Sequence, residues 1–322
     1  MTTRRALLAG ATLVGFDARA QPASYPDRPI RWVVPFGAGG GADVTARLLA
    51  EEASARLNNQ PIIIDNRPGQ AGVVGAGFVA QAQPDGYTIL IGTPGAQLTN
   101  PFLFSHLPYD AVNGFTPILH LASLPNVLVV HPSLPVHDVQ GLIDYAKANP
   151  DRLSFASTGP GSTSHLGMEL LLSQAAIRMV HVPYRSTAQG LIDLTAGRVQ
   201  VANDSTTLLM QPVQDGKLRI LGVSTPRRLE DMPEVPAIAE TLPGFESSSI
   251  LYLTAPAGLP PAVVRRLNET FNEVLRLPRI RERFRAMGMT PSGGTPEDLG
   301  RAIAEGREKW RAVITRADVK LD

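Results

Sequence analysis

Phe36-Gly37-Ala38-Gly39-Gly40-Gly41-Ala42-Asp43 follows the apolar run Ile30-Arg31-Trp32-Val33-Val34 and precedes a helical pattern over 44–57. A second stretch of the same kind, Ser157-Thr158-Gly159-Pro160-Gly161-Ser162-Thr163-Ser164, follows Leu153-Ser154-Phe155-Ala156 and precedes an apolar helical pattern over 166–172. Each reads as a strand-to-helix turn built from glycine and small hydroxyl residues. Glycine lets the backbone approach a ligand closely and take positive φ. The helix that follows offers unpaired N–H groups and a partial positive charge. Both turns are therefore expected to cradle an anion. One cradle in each half of the chain points to a small carboxylate held between two lobes.

Strand and helix patterns alternate outward from these turns. Strands are expected over 61–65 and 88–92 with a helix over 71–81 between them, then an extended run over 118–130 beyond a Pro-rich stretch. The second half repeats the theme, with strands over 153–156, 179–183, 199–203 and 218–224. Helices over 139–148, 162–175, 187–196 and 208–214 accompany them. Short apolar strands alternating with helices make an α/β fold with parallel sheets covered by helices. The tail changes character: 261–277 and 297–315 are amphipathic helical patterns bearing Arg and Glu, with no strand expected around them. Two extended connections, over 121–129 and 248–254, let the chain cross to a second lobe and return. Lobe one is then 25–124 plus 250–322 and lobe two 125–249, and two crossings are what a hinge requires.

The first twenty residues read as an export signal. Arg4-Arg5 is the charged start, 6–16 is apolar and uncharged, and Ala18-Arg19-Ala20 is a cleavage site before Gln21. The apolar stretch is too short to span a membrane, and the adjacent arginines leave both general and twin-arginine export open. Cleavage after Ala20 leaves 27 basic against 28 acidic residues, a balance that gives no reason to expect nucleic acid or an anionic membrane as partner. A mature periplasmic chain that is not membrane-embedded is the expectation. Zero cysteines excludes disulfides and thiolate chemistry. The six histidines show no metal spacing, so neither a metal nor a cofactor is expected.

Further motifs now resemble a known family. Tyr25-Pro26-Asp27-Arg28-Pro29-Ile30, Val34-Pro35-Phe36-Gly37-Ala38-Gly39-Gly40, Asn66-Arg67-Pro68-Gly69, Asp85-Gly86-Tyr87 and Leu107-Pro108-Tyr109-Asp110 occur in that order. Pro125-Asn126-Val127-Leu128-Val129-Val130, His181-Val182-Pro183-Tyr184, Pro243-Gly244-Phe245 and Ala255-Pro256-Ala257-Gly258 complete the set. Their order and spacing resemble the Bug family, the extracytoplasmic solute receptors of tripartite tricarboxylate transporters. The resemblance implies a type II periplasmic-binding-protein fold that closes on its ligand, a small carboxylate, with membrane transporter subunits as partners. It departs at Ser186-Thr187, at Asn203-Asp204-Ser205 and at Ile250-Leu251, three places expected to face the cleft.

Other readings of the same residues are weaker. Gly37, Gly39 and Ala42 satisfy a loose dinucleotide fingerprint, with Asp65 where a ribose-binding acid belongs. Asp43 at the helix start would repel a pyrophosphate, and an exported chain meets no free nicotinamide cofactor. An exported hydrolase using the Ser162 region lacks a Gly-x-Ser-x-Gly elbow. Adjacent Ser164 and His165 on one helix point about 100° apart, poor geometry for proton transfer; His165 reads as structural. The expected ligand contacts are Phe36, Gly37, Ala38, Gly39, Gly40 and Asp43 on the first loop. Ser157, Thr158, Gly161, Ser162 and Thr163 supply the second, with Thr93, Tyr184, Asn203 and Asp204 at the same sheet edges. Asp43 can instead cap its helix, the hydroxyls of the second loop can cap theirs, and Asn203-Asp204-Ser205 can cap the helix from Thr206. Arg185 either pairs with a second ligand carboxylate or lies solvated.

Overall fold

The computed structural model describes residues 25–184 and 186–321; the export segment and Arg185 lie outside them. The first half runs β1 (Ile30–Val34), α1 (Gly41–Arg56), β2 (Ile62–Asn66), α2 (Val73–Ala80), β3 (Thr88–Gly92), α3 (Asn100–Leu103) and β4 (Phe115–Leu124). The chain then builds β5 (Asn126–Val130), α4 (Val139–Ala148), β6 (Ser154–Ser157), α5 (Thr163–Ala175), β7 (Val180–Pro183), α6 (Thr187–Thr195), β8 (Val201–Ser205), α7 (Thr206–Gln214) and β9 (Arg219–Val223). It returns through β10 (Ser249–Pro256) to α8 (Pro261–Arg276), α9 (Pro278–Ala286), β11 (Thr290–Pro291) and α10 (Pro296–Ala317). No helix among the described residues is long and apolar enough to cross a membrane.

Two sheets result, ordered β11-β4-β10-β3-β1-β2 and β7-β6-β8-β5-β9. In each, three strands run parallel and the strand arriving from the other half is inserted antiparallel beside the third: β10 next to β3, and β5 next to β8. This order brings the turns after β1 and β3 to one edge of the first sheet, and those after β6 and β8 to the corresponding edge of the second. Pro125, which cannot donate a ladder hydrogen bond, separates β4 from β5 and makes the first crossing. The second crossing runs alongside it. Ser224 N donates to Asn126 O (2.8 Å), Ser247 N to Ser224 O (2.9 Å), and Asn126 Nδ2 to Ser247 O (3.1 Å).

Apolar cores sit on the helix-covered faces. Trp32, Leu49, Leu119, Leu253, Phe271 and Phe284 fill one side of the first sheet. Helix α10 packs against β4 and also against α5. Its Ile303, Trp310 and Ile314 share one apolar cluster with Leu103, Phe155 and Leu166, so this helix touches elements of both sheets.

Two expectations need correction. The tail is not strand-free, because β11 pairs with Ser123 and Ala122 of β4. Leu251 does not face a cleft: it is buried in the core of the first sheet, and its neighbour Tyr252 turns the other way, over Gly92. The Tyr252 hydroxyl donates to Thr93 O at 2.9 Å.

Candidate functional site

The first cradle is an open loop. Phe36 to Gly41 are exposed, and α1 starts at Gly41 with Gly40 as a cap that offers no side chain. Of the loop amides, Gly39 N donates to Asp43 Oδ2 at 2.8 Å, and those of Gly37, Ala38, Gly40 and Gly41 have no partner among the described residues. Open amides of this kind at a helix N-terminus suit an anion. The glycine content exceeds what the backbone asks for. Gly39 has φ +83°, but Gly37 and Gly40 lie outside the left-handed region, and a Cβ on Gly40 would meet nothing nearer than Gly37 O at 3.7 Å.

Asp43 holds that loop in shape. Its carboxylate is 2 % exposed and accepts from Gly39 N, Arg47 Nε (3.0 Å) and Asn66 Nδ2 (2.9 Å), while Asn66 Nδ2 also donates to Phe36 O. The hydrogen bond from Arg47, more than any other contact, pulls its pKa down to about 2. Asp43 therefore faces inward as an anchor. Because its folded pKa lies below the unfolded value, the stabilisation is present above pH 3.8 and lost as pH falls towards 2. Asp43→Asn keeps the shape but loses the charge, and should cost about 1–3 kcal/mol in urea unfolding at pH 7. That difference should shrink at the acid end of the range.

The second cradle is organised by its own side chains. Ser162 caps α5, accepting from His165 N at 3.2 Å and donating to Gly159 O at 2.6 Å. Thr158 N donates to Ser164 Oγ (3.0 Å), Gly159 N to Ser157 Oγ (3.1 Å) and Gly161 N to His165 Nδ1 (3.1 Å), and Ser162 N bonds Gly159 O (3.2 Å). The amides left without a partner among the described residues are those of Thr163 and Ser164. The loop thus offers fewer open donors than its sequence suggests.

Beneath it, His165 and His181 stack with ring centroids 4.0 Å apart, and Phe155 stacks on His181 at 4.9 Å. Ser157 Oγ lies 2.6 Å from His181 Nε2, a pair the sequence reading missed. Since His165 Nδ1 accepts from Gly161, this ring carries its proton on Nε2, which faces Glu169 at 3.5 Å. Burial, reinforced by the neighbouring His165, lowers the His181 pKa to about 4. The unfolded chain binds that proton near 6.5, so stability is complete above 6.5 and declines as pH falls towards 4. Urea unfolding at pH 7 and pH 4.5 should show wild type losing roughly 2 kcal/mol more than His181→Gln. Equal losses in both proteins would remove His181 from the acid response.

The remaining expected contacts fall around these loops. Thr93 is nearly buried and its hydroxyl has no partner among the described residues. Tyr184 donates from its hydroxyl to Asp193 Oδ2 (2.8 Å), and burial with Asp193 raises its pKa to about 12. Asp204 accepts from Thr187 Oγ1 (2.9 Å) and Ser205 N (2.7 Å); burial raises its pKa. Asn203 is fully buried, with Oδ1 accepting from Ser224 Oγ (2.6 Å) beside the crossings and Nδ2 without a partner among the described residues. No metal-holding group of carboxylates and histidines exists among the described residues. The Ser162 hydroxyl, committed to Gly159 O and to capping, is not poised as a nucleophile.

Comparison with known proteins places this geometry. The family described as the tripartite tricarboxylate transporter family receptor matches residues 45–319. A UPF0065 protein from the tcbD-tcbE intergenic region of Pseudomonas sp. strain P51 is 39 % identical, covering 97 % of this chain and 94 % of that one. The solved structure of R. palustris Rpa4515 with adipate is 36 % identical with a TM-score of 0.81, covering 92 % of this chain and 99 % of that one. MatC (Rpa3494) from Rhodopseudomonas palustris with bound malate is 30 % identical with a TM-score of 0.77, covering 90 % and 100 %. The α/β fold implied by the resemblance is the fold found. Family and structural neighbours are substrate-binding receptors rather than enzymes, which removes the hydrolase reading. The chain belongs to the tripartite tricarboxylate transporter receptor family.

Proposed function

We propose that this chain is an exported periplasmic receptor, cleaved after Ala20, that captures a small organic dicarboxylate between its two cradles. It then delivers the ligand to membrane subunits of a tripartite-type transporter. The observation that carries the reading is the first loop: Gly37 and Gly40 are glycines that neither φ nor packing requires, beside amides with no internal partner. Space left bare over free donors suits a ligand oxygen. The relatives with adipate and malate support the ligand class.

One carboxylate lies on the amides of Gly37, Ala38, Gly40 and Gly41, directly or through water. The other meets Thr163, the Ser164 amide and the Thr93 hydroxyl. Charge-assisted hydrogen bonds contribute about 1.5–3 kcal/mol each. Three or four of them, offset by ordering and desolvation, give a dissociation constant in the micromolar range, about −8 kcal/mol. Lobe one (25–124 with 250–322) and lobe two (125–249) turn about the paired crossings, and ligand shifts them by binding the closed form better. Adipate and malate, titrated in isothermal calorimetry and solution scattering, should bind saturably and shrink the radius of gyration. Tight binding without compaction would put the site within one lobe, and product formation would return the enzyme reading.

A further inference from the structure

A cavity of about 1130 Å³ opens between the lobes beside the crossings. One wall is α7 with the loop after β9, the other is α9 with β11, and Ser123 and Pro125 lie between them. In the strand orders, β9 and β11 lie across the crossing strands from β6 and β1, whose following turns are the cradles. The cavity thus lies across the crossing strands from the two cradles, and its lining includes no residue of 36–43 or 157–164. It abuts the first cradle at Met289, whose sulfur accepts from Thr45 Oγ1 at 3.5 Å and whose Cε would lie 3.8 Å from a Cβ on Gly41.

Its lining is unusual for this chain. Met210, Met232, Met287 and Met289 all face it, four of seven methionines in the sequence. Thioether side chains are flexible and polarisable, and they mould to apolar ligands of varied shape. The charges are unevenly matched. Arg228 is held by Glu240 through two bonds of 2.8 Å, and Arg285 pairs with Asp231 at 3.5 Å. Arg227 on the second lobe and Arg281 on the first have no ion pair among the described residues, with Glu230 the one unmatched acid on the lining. An apolar floor with a free guanidinium on each wall calls for a ligand with an anionic head and a hydrocarbon body.

We propose that this cavity is a second ligand site, taking a carboxylate carried on a flexible hydrocarbon chain, as in a medium-chain fatty acid. The methionines receive the chain, and Arg227 and Arg281 receive the head. Decanoate is the probe, titrated into the mature protein by isothermal calorimetry. It should bind wild type saturably, and Arg227→Ala with Arg281→Ala should weaken it at least tenfold. Both arginines are exposed, so the double variant should melt as wild type does. Gly40→Val, which blocks the first cradle, should leave decanoate binding within twofold. Absence of decanoate binding overturns the proposal, and so does binding that survives loss of both arginines. Binding abolished by Gly40→Val would move decanoate into the cradle and equally overturn it, whatever becomes of the dicarboxylate reading.

Discussion

Gly92→Ala should destabilise the protein by roughly 3 kcal/mol or more, at the upper end of what overpacking costs. An added Cβ at Gly92 would lie 2.0 Å from the Tyr252 ring, far inside van der Waals contact. The ring cannot step aside cheaply. Tyr252 is fully buried, sits directly opposite Gly92 in the β3–β10 pair, and donates its hydroxyl to Thr93 O. The missing side chain is thus the space in which the crossing strand lays its aromatic ring, and the same ring steadies the turn that carries Thr93. Urea denaturation should show a lower midpoint with an unchanged slope. Tyr252→Leu should cost less in the Gly92→Ala background than in wild type, because the clash has already forfeited much of the ring's packing. Strict additivity of the two changes would show that the ring has another way out. By contrast Gly37→Ala, with nothing within 4 Å of its added Cβ, should stay within about 0.5 kcal/mol of wild type.

The sequence was most legible where a local pattern and its tertiary use agree. The bounds of β1, β3 and α4 follow directly from apolar runs ended by Pro, Gly or Asn. Helix α1 starts at Gly41, three residues before the apolar periodicity begins, because the glycines join the first turn without contributing to the core. The helical turns over 95–103 escaped notice since Gly95 and Pro101 read as breakers, and β11 is only two residues long and exists through its pairing with β4.

At the proposed site, glycine and hydroxyl content marks the two loops but not which of their donors are open. In the second cradle that depends on His165 taking Gly161 N, and on the parallel β6–β7 register that sets Phe155 opposite His181. Such pairings join residues distant in sequence, and no spacing rule encodes them. Asp43 was ambiguous for a similar reason: its partners Asn66 and Arg47 come from different elements, and only the fold shows that its carboxylate points inward.

Gly40→Val should reduce dicarboxylate binding by a hundredfold or more while changing stability by no more than about 1 kcal/mol. Gly40 has φ −78° and ψ 168°, extended backbone that valine favours, and its Cβ direction is open apart from Gly37 O at 3.7 Å. Loss of the glycine cap preference opposes the gain from a stiffer unfolded chain, and the two nearly cancel. The branched side chain, however, stands over the free amides at the start of α1. Losing two charge-assisted bonds at about 1.5–3 kcal/mol each corresponds to roughly a hundredfold to ten-thousandfold in affinity. Gly39→Ala supplies the opposite signature. Its φ of +83° strains any side chain although the surrounding space is empty, so about 1 kcal/mol of stability should be lost. Melting temperature and calorimetric affinity, measured for both variants with adipate and malate, separate a glycine kept for the backbone from one kept for the ligand. An unchanged dissociation constant in Gly40→Val would take the first loop out of the binding site, and Gly37 and Gly40 would then have no explanation in the fold.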